Sequence, residues 1–183
     1  MNRPETDDKN EYSKHTLPEI MEWIEGVKST TNVHLEKIDL KDCTPWYYDE
    51  NLGELRNPAG SFFQVKGAAM TTEKGTMYQP IIIQDEIGFL GIIACKIGGV
   101  WHYLMQAKIE PGNVNVVQVS PTIQATKSNF EAKHGGRIPD YLSYFLNMKP
   151  ESILVDQIQS EQSSRFLVNR NRNFIIISEE ELE

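Results

Sequence analysis

The side chains best placed to do chemistry are concentrated between Val100 and Asn129, which reads VWHYLMQAKIEPGNVNVVQVSPTIQATKSN. Gln118, Ser120, Thr122, Gln124, Thr126 and Ser128 take every second position, with small or apolar Val117, Val119, Pro121, Ile123 and Ala125 between them. A strand sends alternate side chains to opposite faces, so the spacing predicts one continuous row of neutral donors and acceptors. A solvated strand face more commonly mixes in Lys, Glu and Arg. A row of amides and hydroxyls suits a polyhydroxylated or amide-bearing ligand. His102, Gln106, Lys108 and Glu110 repeat the pattern on the preceding segment, broken by Leu104.

Pro111-Gly112 is a turn signal between the two rows, because proline presets the first central φ and glycine permits a positive second one. A two- or four-residue turn would pair even positions with odd ones and send the rows to opposite faces. They share a face only across an odd-length loop or a bulge, so an irregularity is predicted near Asn113–Asn115. Lys108 and Glu110 lie two apart on one strand face. They are read either as an acid–base pair or as a surface ion pair of small energetic worth.

A second polar cluster spans Asp156–Phe166, followed by Asn169-Arg170-Asn171-Arg172-Asn173. Arg165, Arg170 and Arg172 fall within eight residues of an otherwise acidic protein. The planar guanidinium fork fits diphosphate oxygens, and salt bridging to surface carboxylates is the competing reading. Tyr78 and Trp101 are candidates for stacking on a base, with core packing as the alternative. No GxGxxG, GxxxxGK[ST], GxSxG, HExxH or clustered Cys and His occurs, so redox-cofactor, phosphoryl-transfer and zinc chemistry lack a motif. No metal site is expected. Glu19, Glu22 and Glu25 recur three apart, but without His or Cys they read as a solvated helix face.

Those side chains need a scaffold. The chain has 183 residues and 20.9 kDa, about a quarter of them Leu, Ile, Val or Phe, enough for one domain with a core. The net charge of −8 argues against nucleic acid and anionic membrane as partners. No apolar run approaches the roughly 20 residues of a membrane helix, and no apolar stretch follows the charged start, so a cytoplasmic location is expected. Cys43 and Cys95 are read as reduced.

Residues 1–14 read as a flexible arm, 15–178 as a single domain and 179–183 as an acidic tail. Thr16 with Glu19 forms a capping-box signature, with Pro18 in the first turn. The stripe Ile20, Ile24 and Val27, with Trp23 adjacent, predicts a helix to about Lys28. Strands are predicted at Val33–Leu40, Ser61–Lys66, Pro80–Ile83, Phe89–Cys95, Val100–Ile109, Ile153–Ile158 and Phe174–Ile177, with a short helix over Pro139–Asn147. The fold class is α+β with a strand-dominated core.

Several spaced motifs resemble one family. They are Gln79-Pro80-Ile81, Gln84-x-Glu86-x-Gly88-x-Leu90-Gly91 and Gln106-Ala107-Lys108-x-Glu110-Pro111-Gly112-Asn113, then Gln118-x-Ser120-Pro121-Thr122-x-Gln124-Ala125-Thr126-x-Ser128-Asn129. With His134-x-Gly136, Gln159-Ser160-Glu161-Gln162-x-x-Arg165-Phe166 and Asn171-Arg172-Asn173, they resemble the NDP-hexose 2,3-dehydratases of deoxysugar biosynthesis from about Glu19 to Ile177.

The resemblance implies a Nudix-like fold, a mixed strand-dominated sheet with a few flanking helices. It also implies removal of the C2 hydroxyl of a dTDP-linked 4-keto-6-deoxy sugar, giving a 3,4-diketo-2,6-dideoxy sugar, with no cofactor. The Nudix hydrolase signature, a glycine followed by an Arg-Glu-x-x-Glu-Glu helix, is missing here, so pyrophosphatase activity is not expected. Family members are usually tandem duplications. One unit is visible in this sequence, and a homodimer standing in for the paired units is therefore expected. On this reading Glu110 is the base at C3, with His134 as alternative, and Lys108 donates to the enolate or leaving oxygen. Gln106, Gln118, Ser120, Thr122, Gln124, Thr126 and Asn129 hold sugar and base, and Arg165, Arg170 and Arg172 hold the diphosphate. The competing reading is a non-catalytic nucleotide-sugar-binding module.

Overall fold

A computed structural model describes residues 13–60, 63–126 and 138–182. Helix α1 (Leu17–Thr30) begins where the capping signature places it. The Thr16 hydroxyl accepts from the Glu19 amide at 3.4 Å, and the Glu19 carboxylate accepts from the Thr16 amide at 2.7 Å. These bonds from Thr16, backbone first, hold the Glu19 carboxyl below the ordinary glutamate range. Of the predicted stripe, Ile24 and Val27 are half-buried while Ile20 and Trp23 remain exposed. This helix lies on the protein without entering its core.

Two sheets follow. The smaller one is antiparallel in chain order: β1 (Tyr47–Asp49), β2 (Glu54–Arg56), β3 (Gln64–Thr72) and β4 (Gly75–Ile83). The larger one contains β5 (Gly88–Ile97), β6 (Val100–Ile109), β7 (Val117–Pro121), β8 (Ile123–Ala125), β9 (Ile153–Ser160) and β10 (Arg170–Ile177). Its order is β7-β6-β5-β10-β9, with β8 also pairing to β5, and only the β5–β10 pair is parallel. The α+β, strand-dominated expectation therefore holds, with a mixed sheet at its centre. Ile82 ties the small sheet to the segment between β9 and β10, its amide donating to Arg165 O at 2.7 Å while its carbonyl accepts from the Leu167 amide at 2.9 Å.

One face of the large sheet carries the core. Phe174 lies opposite Gly91, Ile176 opposite Ile93, and Ile123 opposite Gly91 in the ladders, so these side chains project to the same side. Helix α2 (Leu142–Leu146) packs Leu142 and Phe145 there. Gly91 is required at the centre, since a Cβ would overlap the Phe145 ring and the Ile123 side chain. Phe89 stacks on Phe174 at 4.6 Å between ring centroids and meets Phe145 edge-on at 5.8 Å.

One predicted strand is corrected. Val33–Leu40 joins no ladder, and Val33, Leu35 and Ile38 stay exposed ahead of a 3-10 turn at Leu40–Asp42. Alternation describes a chain ready to pair, but a strand exists only where a neighbour accepts its backbone hydrogen bonds. Three-residue β1 and β2, which the periodicity did not mark, are strands because β3 supplies a neighbour for β2 and β2 one for β1.

Candidate functional site

The connection from β6 to β7 decides how the two polar rows meet. Ile109 pairs with Val117, so residues 110–116 form the loop, an odd number. Even positions consequently face even positions: Gln106 opposite Ser120, and Lys108 opposite Gln118. The predicted irregularity lies where it was expected. Asn113 Nδ2 donates to the carbonyls of Lys108 and Val116 at 3.0 and 3.1 Å, and the Val117 amide donates to Asn115 O at 2.7 Å. Val116 adopts a φ of 66°, which a β-branched residue rarely takes. Lys108 Nζ stands 2.7 Å from Glu110 Oε1, with the lysine side chain 26% and the glutamate 47% exposed. Gln106 Nε2 donates to Pro121 O at 2.9 Å.

The continuous row predicted from Gln118 onward breaks at Pro121. There the chain leaves β6 and, as β8, pairs with β5, filling the gap where β6 peels away beyond Leu104. Thr122 sits in that fork, 5% exposed, its hydroxyl accepting from the Ile93 amide at 3.0 Å and donating to Leu104 O. Beyond it the facing parity inverts. Ile123 and Ala125 turn into the core, and Gln124, opposite Leu90, projects to the other side of the sheet. Thr126 is half-buried just past β8. Asn129, His134 and Ser128 lie outside the described residues.

The arginines occupy the other edge of the same sheet. Arg172 clasps Asp156 through Nε at 2.8 Å and Nη2 at 2.7 Å, with its guanidinium carbon 4.6 Å from the Phe174 ring centroid. The fork raises the Arg172 pKa above, and lowers the Asp156 pKa below, their ordinary values, through this bidentate hydrogen bond. Arg170 and Arg165 are exposed. Arg170, Arg172, Lys108 and Gln118 all project to the face that carries Phe174.

They also share one end of the sheet. Asn171 is level with Gly88 at the start of β5, β9 finishes opposite Arg170, and β8 finishes opposite Phe89. Because β6 runs antiparallel to β5, its Lys108 end points the same way. Of the aromatic candidates, Tyr78 is 80% exposed and Trp101 is 39% exposed beneath Lys96, so neither is core.

Two further groups emerge only from cross-strand register. Gln124, Leu90, Asn173 and Gln157 form one line across four strands on the face away from the core. Beside it Asn173 Nδ2 donates to Gln159 Oε1 at 3.2 Å, and Asn171 donates to Glu161. The alternation Gln157/Gln159 and Asn171/Asn173 was a visible signal for this patch, but its facing was not. In the small sheet, Glu54, only 7% exposed, takes Lys66 at 3.1 Å and Arg56 at 3.4 Å. The eleven residues between Glu54 and Lys66 offer no local pattern to find. Among the described residues no three His, Cys, Asp or Glu side chains gather as metal ligands.

A family model described as NDP-hexose 2,3-dehydratase matches residues 17–183. The chain belongs to the NDP-hexose 2,3-dehydratase family. A curated dTDP-4-dehydro-6-deoxy-alpha-D-glucopyranose 2,3-dehydratase of Saccharopolyspora spinosa is 42% identical over 163 residues, covering 87% of this chain and 34% of the relative. Proteins of the same name from Amycolatopsis orientalis and Streptomyces violaceoruber are each 39% identical, over 86% and 84% of this chain and 35% and 36% of their own lengths. This chain thus spans about a third of the length of the curated relatives it matches. No helix among the described residues is long and apolar enough to cross a membrane.

Proposed function

We propose that this chain is a nucleotide-sugar 2,3-dehydratase, a carbon–oxygen lyase acting on a dTDP-linked 4-keto-6-deoxy sugar in deoxysugar biosynthesis. The observation that supports it most is that the Lys108–Glu110 pair and the arginines of β10 lie toward the same end and on the same face of one sheet. Arg170 beside the Asp156-bound Arg172 along one edge, and an acid–base pair on the same face, suit a substrate with diphosphate at one end and a reactive ketose at the other. The Nudix-like assignment carries over from the family resemblance, and the single domain over 15–178 is kept as read from the chain.

In the proposed reaction Glu110 removes the C3 proton, acidified by the neighbouring C4 ketone. The electron pair enters the C4 enolate, where the Lys108 ammonium offsets the developing charge. Collapse of the enolate breaks the C2–O bond, and the departing oxygen takes a proton from the Lys108 ammonium to leave as water. The remaining C3 enol tautomerises to the diketone. His134 is the alternative base. Gln106, Gln118 and Ser120 hold sugar hydroxyls and Thr126 and Asn129 are kept as further contacts, whereas Gln124, which projects to the other side of the sheet, is set aside from that surface. Thr122 is reassigned from ligand contact to scaffold, because both lone-pair and proton of its hydroxyl are engaged by backbone.

Mass spectrometry of the purified chain incubated with the 4-keto sugar nucleotide tests the proposal. A product lighter by one water is expected. Binding without that product would establish the non-catalytic module in its place. Arg172→Ala is expected to raise KM roughly tenfold with kcat little changed, because diphosphate contacts persist through the reaction. A fall in kcat alone would remove Arg172 from diphosphate binding.

Two copies of the chain are proposed to associate, each supplying one unit.

A further inference from the structure

Three hydrogen bonds from one residue, Asn113, hold the connection between β6 and β7. Its backbone amide donates to Glu110 O at 3.0 Å and closes a turn over Pro111-Gly112. Its Nδ2 donates to Lys108 O at 3.0 Å and to Val116 O at 3.1 Å, and a carboxamide carries the two protons this needs. A half-buried side chain thereby ties the end of β6 to the residue that precedes β7. Glu110 lies within the stretch that these bonds close.

The loop does not take this conformation cheaply. The Val117 amide donates to Asn115 O at 2.7 Å, a three-residue turn centred on Val116, whose φ is 66°. Such a turn with a positive φ is the rare, strained form, and a β-branched residue tolerates it poorly. Val116 also supplies one of the two carbonyls that the Asn113 carboxamide grips. Release at Val116 would let the loop spread. Glu110, one residue past the ladder, would then lose the place that sets its Oε1 2.7 Å from Lys108 Nζ. Strain kept beside a pair of reactive side chains points to a constraint that function imposes.

We propose that Asn113 is a positioning residue for the Lys108–Glu110 pair. It touches no reacting atom and acts through the loop that carries Glu110. The proposal rests on the reading in which Glu110 removes the C3 proton. A carboxamide is needed for the role. Aspartate at 113 would keep the shape, but its oxygens have no proton to donate and would face two carbonyls.

Steady-state kinetics of Asn113→Ala and Asn113→Asp test the proposal. Both are expected to lower kcat roughly 10–100-fold with KM within about twofold, because a misplaced base slows the chemical step while the ladder residues still bind sugar. Val116→Gly added to Asn113→Ala should recover most of the loss, since glycine accepts a positive φ without strain. Asn113→Ala added to Glu110→Gln should cost nothing further, because an absent base cannot be misplaced. Wild-type kcat in both single variants, or a full additional loss in the Glu110→Gln background, overturns the proposal. A crystal structure of Asn113→Ala gives a readout that needs no turnover. Lys108 Nζ and the Glu110 carboxylate should lie more than about 4 Å apart, beyond ion-pair reach, and an unchanged pair overturns the positioning role. A separated pair in a chain whose wild type removes no water would uphold Asn113 and sink the dehydratase reading alone.

Discussion

Glu110→Gln is expected to lower turnover of the 4-keto sugar nucleotide by about 10²–10⁴-fold, the range that a positioned general base contributes. The substitution keeps the size of the side chain and one acceptor oxygen, and it removes the group that takes the C3 proton. The substrate should bind nearly as before, because the base meets its proton only as the C3–H bond breaks. The effect therefore belongs in kcat, with KM close to wild type. Lys108 sharpens the assignment, since its ammonium lies 2.7 Å from the Glu110 carboxylate. Exchange of the C3 hydrogen with deuterated solvent offers an independent readout. Glu110→Gln should abolish it, whereas a defect later in the reaction would leave it intact. Turnover or exchange near wild type would transfer the base role to His134.

The second large effect is on stability. Thr122→Val preserves shape and deletes one hydroxyl, leaving the Ile93 amide without its acceptor and the Leu104 carbonyl without its donor at a position 5% exposed. Each buried group left unpaired costs about 1–3 kcal/mol, so a loss of about 3 kcal/mol is expected. For a domain of this size that lowers Tm by roughly 6–12 °C. KM of the folded protein should stay within about twofold. A variant with wild-type Tm and a strongly raised KM would return Thr122 to the ligand shell. Thr122→Ser should recover most of the lost stability, because it restores the hydroxyl.

Much of the site was legible locally. The parity of the polar positions on either side of Pro111-Gly112 required an odd loop if they were to share a face, and the seven residues from Glu110 to Val116 satisfy that requirement. The capping box at Thr16 and Glu19 was equally plain, because all its partners lie within one turn of helix. The period of two located β5, β6, β9 and β10 to within a few residues, since side-chain alternation is a property of the strand itself.

Sequence spacing by itself settled which residues alternate, where the chain turns and which family the chain resembles, all of them fixed by near neighbours or by residue order. Only the tertiary structure decided which strand lies beside which. That choice turned Thr122 inward at the fork between β6 and β8, and sent Gln124 to the face opposite Gln118. It brought Arg172 to Asp156 across sixteen residues. It also left Val33–Leu40 without a partner. Register between distant strands is set by how their apolar faces pack into a common core, and no spacing within one strand encodes that packing.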